Sequence, residues 1–149
     1  MNFFIKFFAT WGGSGYSPFA SGTVGTLAAI PLYLWLSRLS LPLYLITLLA
    51  FFFFACWVSG KAEIIFNEKD SGKIVIDEVI GFLVTMIAIP PDWRYILAGF
   101  LLFRFFDIVK PPPANWFDQK MKNGYGVVLD DVAAGVYAWL CLALLMRLL

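Results

Sequence analysis

IVIDEVIGFLVTMIAIP, Ile74 to Pro90, decides how the rest of the chain is read. Apart from Asp77, Glu78, Gly81, Thr85 and Pro90 every residue in it is apolar. As a helix rising 1.5 Å per residue it would be about 25 Å long, close to a hydrocarbon core of about 30 Å. Two adjacent carboxylates would then lie one turn inside the apolar layer. An ionised side chain at the centre of a bilayer costs roughly 2.5 to 3.5 kcal/mol even on the lenient insertion scale, so acids placed there mark a functional site. Asp107, Asp130 and Asp131 repeat the anomaly at the edges of other apolar segments.

Working outward, the 149 residues have room for one domain, spanning 1–149, and 61% of them are hydrophobic, 19% aromatic. No charge occurs between Lys6 and Arg38, nor between Arg38 and Lys61, and each gap exceeds the run that suggests a transmembrane helix. The expected fold is all-α: a polytopic membrane helical bundle of about four or five transmembrane helices plus short interfacial helices. The hydrophobic segments predict helices at 23–38, 41–59, 74–90, 93–109 and 131–149. Phe3, Phe4, Phe7, Phe8 and Trp11 share one face opposite Asn2, Lys6 and Thr10, the pattern of a helix lying in the interface. Pro111 to Gly124, with Trp116, Phe117 and Met121 set against Asp118, Lys120 and Lys122, reads as a second. Lys61 to Lys73 reads as a solvated extension and loop.

Several functions are excluded by missing reagents. A net charge of +1 without a basic run gives nucleic acid no footprint. The chain has no His, and Cys56 and Cys141 lack CxxC spacing, so both read as small core residues and neither a His nor a Cys phosphoryl-transfer nucleophile is expected. The amino terminus lacks the small-residue cleavage site of a signal peptide. Nothing in the sequence names a protein partner.

An amino terminus in the cytoplasm would put Lys6, Lys61, Lys69, Lys73, Lys110, Lys120 and Lys122 inside and leave Arg38, Arg94 and Arg147 outside, as the positive-inside rule favours. Under that topology all five unusual acids reach the cytoplasmic face.

Each cluster has a functional and an ordinary reading. IDEVIG presents Asp77 and Glu78 about 100° apart on a helix, hard oxygen ligands suited to Mg²⁺; alternatively they only serve the helix amino terminus. FRFFDIVKPPP sets Arg104, Asp107 and Lys110 at successive i+3 positions, either a phosphate grip with an acid beside it or an internal ion pair that lets the helix insert. GYGVVLDDVAAG repeats the double acid with Asp130 and Asp131 ahead of Gly135; Asp130 also suits an N-cap. GGSGYSPFASGTVGT, Gly12 to Thr26, offers N–H groups and hydroxyls ahead of a helix, either an anion nest or a re-entrant turn. It lacks the GK[ST] ending of a nucleotide-triphosphate loop.

Metal-binding acids and anion-binding groups at headgroup depth fit a Mg²⁺-dependent reaction on a phospholipid. A rival of another class is a small transport or assembly subunit whose acids form a cation path. A path needs acids near mid-membrane or on both sides, and Asp92 is the single outer-side acid.

GSGYSPFASGTVGT, VIDEVIG, FRFFDIVKPPP and GYGVVLDDVAAG stand in an order and spacing that resemble the bacterial phosphatidylglycerophosphatase A family, from Gly13 to Gly135. The resemblance implies an inner-membrane, multi-pass, Mg²⁺-dependent phosphomonoesterase whose site faces the cytoplasm and whose substrate is phosphatidylglycerophosphate. The positions that match the family's acids are Asp77, Glu78, Asp107, Asp130 and Asp131, and its bases Arg104 and Lys110. Asp77, Glu78, Asp130 and Asp131 are expected as metal ligands, and Asp107, Asp131 and Arg104 as catalytic groups. Arg104, Lys110, Gly13, Ser14, Gly15, Ser17, Gly22, Thr23 and Thr26 are expected to hold the phosphate. The nucleophile is left open between water and an aspartate. Ser21 stands where the family often has Pro, which loosens the loop without removing a ligand.

Overall fold

A computed structural model describes residues 2–16, 21–67, 73–110 and 124–148. Among these residues the chain is all-helical: α1 (Asn2–Ala9), α2 (Ser21–Leu36), α3 (Leu41–Phe66), α4 (Ile76–Thr85), α5 (Trp93–Val109) and α6 (Gly124–Leu148), with one 3₁₀ turn at Ser14–Tyr16. The interfacial helix expected over Pro111 to Gly124 falls mainly outside the described residues.

Ile74 to Pro90 lies at the centre of the fold, and its helix is shorter than expected. Helix α4 has ten residues, about 15 Å, half of a hydrocarbon core. It is packed against α2, α3, α5 and α6, and nine of its residues are buried, Asp77 among them. A short helix inside an apolar protein must satisfy its terminal carbonyls without water. Neighbouring helices do this: the Tyr44 hydroxyl on α3 donates to Leu83 O (2.5 Å), Trp139 Nε1 on α6 to Ile87 O (2.7 Å), and the Tyr33 hydroxyl on α2 to Ile89 O (2.7 Å). Three polar ends on otherwise apolar side chains thus take over the hydrogen bonds that a longer helix would have made itself.

Two other boundaries differ from expectation. Helix α3 continues to Phe66 through Lys61 and Glu63, so the stretch read as a solvated extension is helical that far. Helix α6 begins at Gly124 rather than at residue 131, which places Asp130 and Asp131 in its second turn. The N-cap reading of Asp130 is therefore overturned: the donors that lack intrahelical acceptors belong to the preceding turn. Cys56 is buried as expected, whereas Cys141 is exposed.

Helices α3 and α6 are long and apolar enough to cross a membrane, and among the described residues they are the two that pass that test. Helices α2 and α5, with 16 and 17 residues, fall below it. Large apolar side chains nevertheless face outward on all four, including Trp35, Ile46, Phe53, Leu101 and Leu144. Such a continuous apolar surface fits a protein surrounded by lipid. Helix α1 turns Ile5 and Ala9 inward and Phe3, Phe4 and Phe7 outward, with Phe8 edge-on to Phe54 of α3.

Helices α4 and α6 run parallel and touch through glycine. A Cβ at Gly135 would lie 2.5 Å from Gly81 O and 3.1 Å from Val84 Cβ. Gly to Ala inside a helix ordinarily stabilises by about 1 kcal/mol. Here the overlap forces the helices apart, and Gly135→Ala should instead destabilise by about 1 to 3 kcal/mol. Thermal unfolding in detergent checks the sign, and an unchanged or raised midpoint would refute the close approach.

Candidate functional site

Helix ends bring the acids together. Asp77 and Glu78 lie in the first turn of α4, Asp107 in the last turn of α5, and Asp130 and Asp131 in the second turn of α6. Because α5 runs antiparallel to the other two, its carboxyl end meets their amino ends. Four of the five acids are buried, Asp131 at 1% exposure. Single carboxylate oxygens of Asp77, Asp130 and Asp131 lie within 4.8 Å of one another, and so do those of Glu78, Asp107 and Asp131. Asp131 is common to both groups.

Two cations are woven into this cluster. The Arg104 guanidinium bridges Glu78, at 3.1 Å, and Asp107 one turn along its own helix. Lys110 caps α5 in the left-handed conformation, φ 53°, which turns its ammonium onto Asp130 Oδ2 at 2.9 Å, with Asp107 Oδ1 at 3.8 Å. The ion-pair alternative for Arg104 and Asp107 is thus present, and it is one part of a larger network. Among the described residues, five carboxyl groups thus meet two basic side chains in a largely buried space. Asp130 Oδ1 and Asp131 Oδ2 are buried without a hydrogen-bond partner.

A divalent cation fits this donor set. In an octahedral Mg²⁺ shell adjacent ligands lie about 3 Å apart and opposed ones about 4 Å, so three oxygens within 4.8 Å of one another are near enough to close on one ion. The ion would supply the missing positive charge and occupy the unpartnered lone pairs.

The glycine-rich segment divides into two parts. The N–H groups of Gly12 to Tyr16 donate to Phe7 O, the Thr10 hydroxyl, Trp11 O, Thr10 O and Gly13 O in turn. The Ser14 hydroxyl donates to Thr10 O. Gly13, Ser14 and Gly15 therefore close the end of α1, where their N–H groups find acceptors within the turn itself. Gly15 is buried with room for no side chain, since a Cβ would lie 2.9 Å from the Lys73 carbonyl carbon. Thr26 is also buried and donates its hydroxyl to Gly22 O (2.7 Å) within α2. Ser17 lies outside the described residues. Gly22 is placed otherwise: a Cβ there would be 3.0 Å from Arg104 Nη1 and 3.1 Å from Glu78 Oε1, so the first turn of α2, with Gly22 and Thr23, abuts the cluster.

At the far end of α5, Asp92 caps the helix by accepting from the Arg94 N–H (3.0 Å) and pairs with its guanidinium. The Arg94 hydrogen bonds hold this exposed carboxyl below its ordinary range. About 15 residues of helix, or some 23 Å, separate it from Asp107. The Tyr33, Tyr44 and Trp139 donors were not singled out from sequence, where a lone polar tip on an apolar helix gives no sign of its acceptor.

Comparison with known proteins gives concordant results. The family model described as phosphatidylglycerophosphatase A matches residues 7–146. A protein of Haemophilus influenzae named "Phosphatidylglycerophosphatase A" is 42% identical over 136 residues, covering 90% of this chain and 83% of its own. The Escherichia coli protein of the same name is 38% identical over 125 residues, covering 83% and 73%. A Bacteroides thetaiotaomicron protein named "Putative phosphatidylinositol-3-phosphatase" is 41% identical over 139 residues, covering 88% and 86%. No solved structure matches. With acids, bases and helix ends all falling inside the matched span, the chain belongs to the phosphatidylglycerophosphatase A family.

Proposed function

We propose that the chain hydrolyses the terminal phosphate of phosphatidylglycerophosphate to give phosphatidylglycerol, in a Mg²⁺-dependent reaction at the bilayer surface. The observation that carries this is the pair of acid groups sharing Asp131, set beside an arginine and a helix amino terminus. Family membership supplies the substrate class.

Asp77, Asp130 and Asp131 would hold one Mg²⁺, and Glu78, Asp107 and Asp131 offer a second place. When bound, the metal neutralises phosphoryl charge and lowers the pKa of bound water. The chain's own groups do the rest. Arg104 lies between the acids and the first turn of α2, where its fork and the N–H groups of Gly22 and Thr23 suit phosphoryl oxygens. Lys110 holds Asp130 in place and supplies a second positive charge. Asp107, steadied by Arg104 and Lys110, is placed to orient a water molecule. Burial of the cluster keeps each of these interactions strong by excluding bulk water.

The reading places the protein as a multi-pass component of the bacterial inner membrane, with α2, α3, α5 and α6 crossing, α4 enclosed among them, and the acids toward the cytoplasm. The alternative of a cation path is disfavoured by position: the five acids gather at one end of the bundle and Asp92 lies far off at the other.

The test is direct. The purified chain in detergent is given phosphatidylglycerophosphate with Mg²⁺, or with chelator. Phosphate release should fall by about a hundredfold or more on chelation and return on adding Mg²⁺ back. Phosphatidylinositol 3-phosphate is run alongside, because one relative carries that substrate in its name. Absence of metal-dependent release from phosphatidylglycerophosphate would overturn the proposal, and faster release from the inositol lipid would reassign the substrate.

A further inference from the structure

A groove of about 300 Å³ opens on the outside of the bundle, lined by Leu45, Leu49 and Phe52 of α3, Ile80 and Val84 of α4, and Val132 of α6. On α4 the residues Asp77, Ile80 and Val84 follow one another at i, i+3 and i+7, a single stripe of the helix. The stripe begins at a carboxylate of the metal-ligand group and its next two members form the groove wall. The axial distance from Asp77 to Val84 is about 10 Å. On α6 the lining residue Val132 directly follows Asp131, and Leu129, also in the wall, directly precedes Asp130.

The direction of the groove is set by the fold. The Tyr44 hydroxyl reaches Leu83 O, so the amino-terminal half of α3 is level with the carboxyl end of α4. The groove therefore runs from the acids toward the interior of the bundle's apolar belt, away from the charged layer. Leu45 and Leu49 are 41% and 58% exposed, so its outer side is open to the surroundings.

We propose that this groove receives one acyl chain of the substrate lipid and so fixes the terminal phosphate over the acid cluster. The inference rests on the lipid phosphatase reading and deepens it. The chain comes from lipid that is already as apolar as the wall, so what the groove adds is close packing and a fixed direction rather than transfer out of water. Binding energy from this remote part of the substrate would serve to orient its reacting end.

The experiment compares two phosphatidylglycerophosphates with the same headgroup, one with dihexanoyl and one with dioleoyl chains, on the intact protein in mixed micelles. Leu49→Trp narrows the groove at an exposed position, and Leu144→Trp places the same bulk on a similarly exposed part of α6 outside it. For Leu49→Trp, kcat/KM on the dioleoyl lipid should fall about tenfold as the long chain loses its packed track, with less than about a twofold change on the dihexanoyl lipid. Leu144→Trp should leave both within about twofold. A second readout needs no turnover: a lipid bearing a terminal phosphomonoester and a photoreactive acyl chain should label 45–52 and 129–132 more strongly than phosphatidylcholine with the same chain. Equal loss on both substrates, no loss on either, or equal labelling by the two lipids would overturn the groove assignment. Failure of the wild type to release phosphate from either lipid would instead overturn the enzymatic reading, and selective labelling would still report the groove.

Discussion

Asp131→Asn should lower Mg²⁺-dependent phosphate release by about a thousandfold or more, because one substitution weakens both carboxylate groups at once. The same change should make the metal-free protein more stable. Asp131 is 1% exposed, its Oδ2 has no hydrogen-bond partner, and among the described residues it sits with four other acids and two basic side chains. Removing one charge from such a site relieves repulsion, and replacing strained buried ionic groups often stabilises by about 1 to 4 kcal/mol. In chelator the variant should therefore melt above the wild type, and adding Mg²⁺ should raise the wild-type midpoint while moving the variant's little. Melting curves with and without Mg²⁺, read beside phosphate release, check both halves. A variant that is inactive and also less stable in chelator would mean that Asp131 is structural. Asp92→Asn, at the other end of α5, is the control and should leave the rate within about twofold.

How much of this could be read before the structure depended on the kind of signal. The acids at 77, 78, 107, 130 and 131 were legible because their free-energy cost in an apolar segment is large compared with any local preference. Their convergence could be anticipated because helix direction alternates along the chain, so an acid at the end of α5 meets acids at the starts of α4 and α6. The length of α4 was not legible. Met86 to Ile89 continues the hydrophobic pattern without a break, and the carbonyls freed where the helix stops are met by donors from Tyr44, Trp139 and Tyr33, residues 39, 52 and 56 positions away from them. The glycine-rich segment was ambiguous for a related reason. Its composition suits an anion nest or a helix-ending turn equally well, and the choice was made by Thr10, whose hydroxyl and carbonyl take the donors of Gly13 and Gly15. Among the described residues of the segment, Gly22 at the start of α2 lies beside Arg104.

Arg104 offers the sharpest separation of charge balance from chemistry. Its guanidinium is mostly buried between Glu78 and Asp107, so Arg104→Met leaves two carboxylates facing each other without their cation. Breaking a buried pair by removing one partner typically costs about 3 to 5 kcal/mol. Glu78→Gln added to Arg104→Met removes one of the two stranded charges, and Lys110 still faces Asp107 at 3.8 Å, so the double variant should recover roughly 1 to 3 kcal/mol. Stability, measured by unfolding in detergent, should thus return in part. Activity should not: without the fork beside Gly22 the phosphoryl oxygens lose an anchor present in the transition state, and kcat/KM should stay down by about a hundredfold or more. Arg104→Lys keeps the charge and loses the planar fork, so it should fold nearly as well as the wild type and still work poorly. Recovery of activity in the double variant would show that Arg104 serves only to neutralise its neighbours, and would move the phosphate grip to Lys110.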